Sequence, residues 1–321
     1  IISSKILNEN FNQKITVSTY NYDKPSQYSF DVVLKDTLNI PDSEYITDGD
    51  IFAVSDIEGN FYAFQKLLKS AEIIDENFNW NYKDNHLVLT GDFVDRGLNV
   101  TQCLWLIYKL ERQAEKKGGS VHFINGNHEI MNLSGKIYHV RSKYKLLASE
   151  LGLNYSTDLI GKDSELGKWL RTKNAVEKIN GNLFAHGGIS PELISLDIPL
   201  DSINKKARQF YGENDTEIEK DELASFLYSS NGPFWYRNNT RDISDNIQNE
   251  MNEIMSHYSA ERLIIGHSSK SDIKSYHNKT LYNIDIHFPN TENQTQRGMG
   301  LLIQGDSLYK IDDNGIMTKL K

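Results

Sequence analysis

Cysteine is nearly absent from this sequence, since Cys103 is the only one among 321 residues. A single thiol excludes a disulfide within the chain and a metal cluster held by thiolates. Cys103 falls on the apolar side of a predicted helix, which indicates a core residue rather than a nucleophile. Long apolar runs are also missing, because none approaches the roughly 18 to 20 residues that a bilayer-spanning helix needs. The sequence therefore predicts no transmembrane segment.

Basic residues are too few to balance the acidic ones. The chain has 35 Lys and Arg against 44 Asp and Glu, which gives a net charge of −9. This balance argues against a protein that binds nucleic acid by neutralising its phosphates. It leaves a phosphate-bearing substrate open, because bound cations invert the local field. The hydrophobic content of 38% is typical of an ordinary soluble globular protein.

The chain alternates short apolar runs with amphipathic stretches after residue 45, a pattern typical of an α/β fold with a layered sheet. Residues 1–45 predict a β extension, in which two alternating stretches flank a turn at Asp23–Ser26. Residues 46–321 form the predicted main domain. Within it, residues 131–180 have a helical period without a convincing strand, and we expect them to form an inserted helical cap.

Five of the apolar runs end on a residue that can bind a metal. These residues are Asp56, Asp92, Asn127, His186 and His267. Side chains at the carboxyl ends of strands meet at one edge of an open α/β sheet, so we expect all five to converge. Imidazole, carboxylate and amide oxygen together suit manganese, iron or zinc. Asp92 stands between the other donors in chain order and is the natural bridge of a two-metal site.

Each of these endings also has an ordinary structural explanation. A single histidine in GNHE or AHGG is more often a structural residue than a ligand, and Gly-His and Gly-Asp pairs after strands are common in turns. The GDFVDRG stretch, residues 91–97, could by itself be a solvated turn. Five metal-competent endings in one chain are much harder to explain in this way, so the sequence favours a metal site.

The motifs at these strand ends read SDIEGN, GDFVDRG, GNHEIMN, AHGGIS and IGHSS. Through these motifs the sequence resembles the calcineurin-like metallophosphoesterases of the phosphoprotein phosphatase branch. The resemblance covers roughly residues 50–286. GNHEIMNL with the following Tyr138, GKWLRTK and GPFWYR are similar to the bacterial Shewanella-like phosphatases. That group is associated with dephosphorylating proteins or peptides, often at phosphotyrosine. The resemblance implies a β-sandwich flanked by helices, with the cap and the extension as additions.

The resemblance also implies two bound divalent metal ions, with manganese expected first and iron or zinc as alternatives. One ion would be held by Asp56, Glu58 and Asp92. The other would be held by Asp92, Asn127, His186 and His267. A hydroxide that bridges the ions would attack phosphorus in line, since the metals lower its pKa.

The remaining residues of the motifs would act on the substrate. His128 would protonate the leaving oxygen, and Asp95 would orient His128. Arg96 would grip phosphate oxygens with its planar guanidinium, and Arg237 in GPFWYR would be a second clamp. Glu129 is expected to hold a ligand or an arginine in place.

Glu58 departs from the family pattern, which has a histidine two residues after the first aspartate. A glutamate can still bind metal, but it adds a negative charge and replaces nitrogen with oxygen. We therefore expect the first site to favour manganese over zinc. A supporting role beside the ligands is the alternative for Glu58. His287, in the sequence NIDIHFP, stands where the family has a small residue after its aspartate. A surface position is the expected one for it, and a role as a ligand or a contact to the substrate is the alternative.

The leading functional prediction is a two-metal phosphomonoesterase of phosphorylated proteins or peptides, with phosphotyrosine as the expected group. Small phosphoesters are also possible substrates, and no nucleic-acid partner is expected. A hydrolase of nucleotides or dinucleoside polyphosphates shares the same core motifs and is the second prediction. A non-catalytic binding module on a phosphatase scaffold is the third. The chain begins at Ile1 rather than at a methionine. A cleaved signal peptide, and hence a periplasmic or secreted bacterial protein, is compatible with that start, and a cytoplasmic location stays open.

Overall fold

The protein is described here by a computed structural model that covers residues 14–21, 24–240, 245–288 and 297–320. Its strands are β1 (Lys14–Asn21), β2 (Lys24–Val33), β3 (Glu44–Tyr45), β4 (Ile51–Val54), β5 (His86–Leu89), β6 (Ser120–Phe123), β7 (Val176–Ile179), β8 (Asn182–Ala185), β9 (Arg262–Ile265), β10 (Lys274–Tyr276), β11 (Leu281–Asn283), β12 (Met299–Gln304), β13 (Ser307–Asp312) and β14 (Met317–Lys319). Its α-helices are α1 (Phe61–Ser70), α2 (Val100–Glu115), α3 (Asn127–Leu133), α4 (Ser142–Glu150), α5 (Glu165–Arg171), α6 (Pro191–Ser195), α7 (Leu200–Gln209), α8 (Asp215–Ile218), α9 (Glu222–Leu227) and α10 (Asp245–His257). A π-helical turn spans Tyr155–Leu159, and a 3₁₀ turn spans Asn238–Thr240.

Two six-stranded sheets form the centre of the fold. Sheet I has the strand order β14-β13-β12-β4-β5-β6, and sheet II has the order β10-β11-β9-β8-β7-β3. In sheet I the strands β4, β5 and β6 run parallel, and in sheet II β8, β9 and β11 run parallel. The carboxyl ends of the parallel strands in each sheet therefore lie together at one edge.

The alternation of side chains along β4 shows why its apolar run is continuous. Ile51 and Ala53 lie in the core between the two sheets, whereas Phe52 and Val54 pack with the helices on the outer face of sheet I. Successive side chains of a strand point to opposite faces, so a strand covered on both sides is apolar throughout. Sheet II is covered on its outer face by α6, α7 and α10, and the layers are helix, sheet, sheet, helix. The predicted α/β sandwich is confirmed.

The N-terminal hairpin lies against the outer helices of sheet I. Strands β1 and β2 pair antiparallel, as the alternating sequence predicts, and Val17, Phe30 and Val32 are buried in the same core as α2. The predicted turn is wrong for residues 24–26, which belong to β2, and Asp23 lies outside the described residues. Proline is tolerated in an edge strand, and this explains why Pro25 does not end β2.

The cap prediction is wrong at its C-terminal end. Residues 131–180 contain the rest of α3, α4, the π-helical turn and α5, but they also contain β7. β7 pairs antiparallel with β8 and parallel with β3, so residues 44–45, which the sequence assigns to the N-terminal extension, join sheet II. The charged pair Glu177–Lys178 hides the strand in the sequence, because charged residues are depleted in strands.

Two further expectations concern the position of Cys103 and the presence of a transmembrane helix. Cys103 is fully buried on α2, and burial raises the pKa of its thiol, so it is a core residue as predicted. Among the helices of the described ranges, none combines the length and the apolar character that crossing a bilayer would require.

Candidate active site

The ends of five strands from both sheets meet at one place. β4, β5 and β6 of sheet I lead to Asp56, Asp92 and Asn127, and β8 and β9 of sheet II lead to His186 and His267. Backbone hydrogen bonds join neighbouring strand ends within each sheet. The amide of Asp56 donates to the carbonyl of Gly91 over 3.0 Å, and the amide of Gly266 donates to the carbonyl of His186 over 2.9 Å.

Four potential ligand atoms lie close together, and Nε2 of His186 is at the centre of the group. This nitrogen lies 2.9 Å from Oδ1 of Asn127, 3.1 Å from Nδ1 of His267 and 3.2 Å from Oδ2 of Asp92. The other ring nitrogen of His186 lies 2.7 Å from the carbonyl oxygen of Thr90. A carbonyl can only accept, so Nδ1 carries a proton, and Nε2 is the ring nitrogen that faces the centre.

The four atoms fit a divalent cation. Arg237 donates toward Nδ1 of His267 over 3.4 Å, so this nitrogen is also an acceptor. Nε2 of His267 then carries the proton, and it is buried without a hydrogen-bond partner among the described residues. Oxygen and nitrogen lone pairs that face one another at about 3 Å repel unless a positive charge lies between them. The donor set of two imidazoles, one carboxylate and one amide suits manganese, iron or zinc.

The charges of the cluster change the acidity of both histidines. Burial lowers the pKa of His186, but the carboxylates of Asp92 and Asp56 outweigh burial and raise it to about 10. Burial and the adjacent charge of His186 lower the pKa of His267 to about 2. Without metal, His186 therefore carries a second ring proton, on Nε2, whereas His267 stays neutral. A metal ion bound at this point would displace that second proton.

The backbone is strained where the site residues stand. Six of them have φ in the left-handed region, between 48° and 72°: Asp56, Glu58, Asp92, Asp95, Arg96 and His267. This region is unfavourable for residues with a Cβ, and strained residues cluster at functional sites. All six lie in the loops that leave β4, β5 and β9 at the shared edge.

Glycines at the strand ends leave room for the ligands. A Cβ on Gly126 would collide with Oδ1 of Asp92 and would lie 2.9 Å from Nδ1 of His186. A Cβ on Gly266 would collide with the carboxylate of Asp56. Only glycine lets two strand ends approach a ligand this closely, so Gly126 and Gly266 are part of the site geometry.

Glu129 connects the loops that carry the candidate ligands. Its carboxylate accepts hydrogen bonds from the backbone amides of Asp92, Phe93 and Gly126, each over 2.8 Å, and from that of Val94 over 3.2 Å. Glu129 is fully buried, and burial and the charge of Asp92 raise its pKa. It joins the loop after β5 to the start of α3, and it is not among the groups that face the cluster of ligands.

His128 and Asp95 form a buried histidine–carboxylate pair beside the cluster. Nδ1 of His128 lies 2.6 Å from Oδ2 of Asp95, and the backbone amide of His128 donates to Asp92 over 2.9 Å. The other oxygen of Asp95 accepts from the amide of Asn132 over 3.0 Å, and Asn132 accepts from the hydroxyl of Tyr155 over 2.9 Å. The proton on Nδ1 leaves Nε2 of His128 as the reactive nitrogen, 3.8 Å from Oδ2 of Asp92.

Glu58 and Arg96 form an ion pair at the exposed side of the site. The Arg96 side chain is half exposed, whereas the Glu58 side chain is largely covered. Glu58 also lies within reach of Asp92 and His128, so these three could share a cation. Oδ2 of Asp56 accepts from the hydroxyl of Ser55 over 2.5 Å and from the amide of His267 over 3.1 Å. The candidate group at Glu58 therefore contains Asp92 and His128 but not Asp56, which was expected to share the first ion.

Arg237 lies against His267. Its guanidinium donates to the carbonyl of His267 and contacts Oγ of Ser268 over 3.4 Å. The FWYR segment is thereby attached to the end of β9, and the positive charge of Arg237 stands at the rim of the ligand cluster.

The sequence singles out neither Asp285 nor the Asn132–Tyr155 pair. Asp285 follows β11, and burial raises its pKa to about 6. Its charge in turn raises the pKa of Asp56, next to the effect of burial. An acid closely after an apolar strand is the same signal that identifies Asp56 and Asp92. His287, two residues on, is exposed as expected.

The geometry agrees with comparisons to known proteins. The model of the family described as calcineurin-like phosphoesterase matches residues 49–271. The chain is 30% identical to Shewanella-like protein phosphatase 1 of Plasmodium berghei (strain Anka), over 84% of this chain and 73% of that protein. It belongs to the calcineurin-like phosphoesterases, among the Shewanella-like phosphatases. The chain is accordingly a metal-dependent phosphatase.

Two further likenesses concern structure and substrate class. The crystal structure of a cold-active protein-tyrosine phosphatase of a psychrophilic Shewanella species superposes with a TM-score of 0.85 at 31% identity, over 94% of this chain and 89% of that one. A symmetrical bis(5'-nucleosyl)-tetraphosphatase of Glaesserella parasuis serovar 5 (strain SH0165) is 33% identical, but over only 44% of this chain and 45% of that protein.

Proposed function

We propose that this chain hydrolyses phosphomonoesters of proteins or peptides, with phosphotyrosine as the preferred group, by a two-metal mechanism. The observation that carries the proposal is the cluster at Nε2 of His186, in which four potential ligand atoms converge next to the His128–Asp95 pair. The likeness to a Shewanella-like protein phosphatase and to a protein-tyrosine phosphatase supports a phosphorylated protein as the substrate.

Asp92, Asn127, His186 and His267 would hold one ion, and Asp56, Glu58 and Asp92 would hold the other. When bound, two divalent ions supply a hydroxide nucleophile at neutral pH and neutralise charge on the phosphoryl oxygens. Manganese is the first choice because Glu58 adds an oxygen donor where the family has an imidazole. The shared carboxylate is that of Asp92, which lies between the two groups of candidate ligands.

The protein side chains would bind the phosphoryl group and move the proton. Arg96 would exchange its contact with Glu58 for the phosphate oxygens, and Arg237 would approach from the side of His267. Nε2 of His128 would give its proton to the leaving oxygen, while Asp95 holds the ring by Nδ1 and stabilises its positive charge. A phenol has a pKa near 10 and leaves more readily than an alkoxide, which fits a phosphotyrosine substrate.

The experiment compares wild type with Asp92→Asn and His267→Ala. Each protein is stripped of metal and reloaded with Mn²⁺, and its metal content and rates on p-nitrophenyl phosphate, a phosphotyrosine peptide and a phosphoserine peptide are measured. We expect the variants to lose at least one ion and nearly all activity. Full turnover with two metals per chain in Asp92→Asn would contradict the two-metal mechanism. Equal rates on both peptides would contradict the preference for phosphotyrosine.

The partial likeness to a bis(5'-nucleosyl)-tetraphosphatase makes dinucleoside polyphosphates the second candidate substrate class. A parallel assay with diadenosine tetraphosphate decides between the two, since the better substrate will have the higher kcat/KM. A catalytically inactive binding module is the third candidate. Metal-dependent hydrolysis of p-nitrophenyl phosphate would exclude this third candidate.

A further inference from the structure

A basic segment free of acidic residues lies on the cap of this acidic protein. Residues 135–149 contain no Asp or Glu, although the chain as a whole carries a net charge of −9. The same stretch contains His139, Arg141, Lys143 and Lys145. Arg141 immediately precedes α4, and Lys145 lies within that helix. Arg141 and Lys145 are four residues apart, so they share one side of the helix start.

This segment is attached directly to the loop that follows β5, at Arg96 and Leu98. The ring of His139 lies 5.1 Å from the ring of His128, and its carbonyl accepts from the amide of Arg96 over 3.1 Å. Nε of Arg141 donates to the carbonyl of Arg96 over 2.5 Å. Nζ of Lys143 donates to the carbonyl of Leu98 over 2.5 Å. The segment is therefore held beside His128, the residue proposed to face the leaving group.

The positive charges of the segment are available to a ligand. His139, Arg141 and Lys145 are exposed, whereas Lys143 is half-buried. Among the described residues no carboxylate forms an ion pair with Arg141 or Lys145, in contrast to Lys136, which pairs with Asp215 over 2.6 Å. Nε of Arg141 is occupied by a backbone carbonyl, which leaves the terminal nitrogens of its guanidinium for another acceptor.

We infer that the positively charged Arg141 and Lys145, with the imidazole of His139 beside them, form a basic rim that binds a second anionic group of the substrate, next to the phosphoryl group that is cleaved. The inference rests on the proposed function, because it concerns the peptide attached to the leaving oxygen. The second anion is a carboxylate of a flanking Asp or Glu, or a second phosphate. A basic rim on an acidic protein concentrates the field at the mouth of the site and repels basic sequences there.

The first test measures substrate preference of the Mn²⁺-loaded wild type. Four peptides carry the same phosphotyrosine and differ only in the residue on each side of it. Both neighbours are alanine in the first peptide, aspartate in the second, phosphoserine in the third and lysine in the fourth. We expect kcat/KM to be about three- to tenfold higher for the aspartate peptide than for the alanine peptide, which is the range that two screened ion pairs give. The lysine peptide should be the poorest substrate. The preference should shrink as ionic strength rises. The phosphoserine arm shows whether a phosphate or a carboxylate is the better second anion.

The second test uses Arg141→Glu and Lys145→Glu, with Lys116→Glu as the matched control. Lys116 is exposed at the C-terminal end of α2, which leads to the start of β6 and thus to the opposite edge of sheet I. Within each variant the aspartate-to-alanine ratio of kcat/KM is the readout, so a general loss of activity cancels. We expect the ratio to fall to one or below in both rim variants and to stay at the wild-type value in Lys116→Glu.

Three outcomes would overturn the inference. Equal rates of wild type on the aspartate and alanine peptides would show that the rim binds no second anion. A ratio unchanged in both rim variants, or lowered equally by Lys116→Glu, would show that the rim is not the source of the preference. If p-nitrophenyl phosphate is hydrolysed but none of the peptides is, the proposed protein substrate itself fails, and the inference fails with it.

Discussion

Asn132 donates a hydrogen bond from its side-chain amide to Oδ1 of Asp95, over 3.0 Å. Oδ2 of the same carboxylate accepts from His128, so both oxygens of Asp95 are occupied and its plane is fixed. The amide of Asn132 also donates to the carbonyl of His128 over 2.9 Å, and its oxygen accepts from the hydroxyl of Tyr155. A buried chain of hydrogen bonds thus joins the π-helical turn of the cap to His128, the proposed proton donor.

This chain predicts that Asn132→Ala and Tyr155→Phe impair proton donation selectively. Phenyl phosphate needs a proton on its leaving oxygen far more than p-nitrophenyl phosphate does, because phenol is the weaker acid. We expect kcat to fall about tenfold on phenyl phosphate in Asn132→Ala, and less in Tyr155→Phe, with a smaller loss on p-nitrophenyl phosphate in both. The measurement is the dependence of kcat on the pKa of the leaving group.

Tyr144→Phe is the control for these variants. Tyr144 is buried on α4, its ring lies 6.3 Å from that of Tyr155, and its hydroxyl donates to the carbonyl of Leu98 rather than to Asn132. A merely structural effect would lower the rate on both substrates equally in all three variants. Such a parallel loss would show that Asn132 and Tyr155 do not position His128.

His128→Asn tests the proton donor itself. The Nε2 atom of His128 lies 3.8 Å from Asp92, outside the closest group of ligand atoms, so metal content should stay near the wild-type value. Removing a general acid lowers kcat by about 10²–10⁴-fold. Metal content by elemental analysis and kcat on phenyl phosphate are the two readouts. Loss of an ion with an unchanged rate per bound metal would make His128 a ligand instead.

The convergence of the candidate ligands could be predicted because each of them follows an apolar run. Asp92 follows β5 of sheet I and His267 follows β9 of sheet II, and both strands are largely buried. Parallel strands bring their carboxyl ends to one edge of a sheet. The sequence also predicts the helical segments that follow β4 and β5, whose apolar faces are regular. These features depend on local pattern, which is visible in a single chain.

Other features depend on partners that are distant in the sequence. The hydrogen bond between Asn132 and Tyr155 spans 23 residues, and neither residue has a pattern that predicts it. β7 is concealed because Glu177, a buried acid, is stabilised by His122 over 2.7 Å and by Asn174 over 2.9 Å. The ion pair of Glu58 with Arg96 follows from strained turns after two different strands. Such contacts exist only once the sheets have formed.

A buried histidine pair predicts how stability depends on pH. His86 lies 2.8 Å from His122, and His122 lies 2.7 Å from Glu177, which joins sheet I to sheet II. Burial, and then the charge of His122, lowers the pKa of His86 to about 4 from a model-peptide value of 6.5. Between these two values the unfolded chain binds more protons, so the free energy of unfolding falls as pH falls from 6.5 toward 4.

His86→Gln keeps a donor for His122 but cannot titrate. We expect its free energy of unfolding to fall less than that of wild type between pH 6.5 and 4.5, by on the order of 1 kcal/mol after allowance for solvent screening. Urea unfolding of both metal-free proteins at several pH values gives the difference between their free energies of unfolding. The candidate metal ligands titrate alike in the two proteins, so their contribution cancels in this difference. Parallel curves for the two proteins would show that His86 does not contribute.

The contact of Glu58 with Arg96 leads to a prediction about metal choice. As a ligand, Glu58 would give the first site three carboxylates and no nitrogen, since Asp56 and Asp92 are the others. Such a site favours Mn²⁺ over Zn²⁺. Glu58→His restores an imidazole and removes a negative charge, so we expect two ions per chain and a shift of preference toward zinc or iron. Glu58→Gln removes the charge alone and should weaken the first ion.

The same variants separate this role from the orientation of Arg96. If Glu58 only holds Arg96, then Glu58→His and Glu58→Gln should change KM for the phosphoester and leave metal affinity as in wild type. If Glu58 binds metal, metal affinity and preference should change in the directions given above. Metal-free proteins reloaded with one metal at a time provide both quantities, by titration calorimetry and by rates per bound ion. An unchanged metal profile in both variants would mean that Glu58 does not touch the ion and that Arg96 is its sole functional partner.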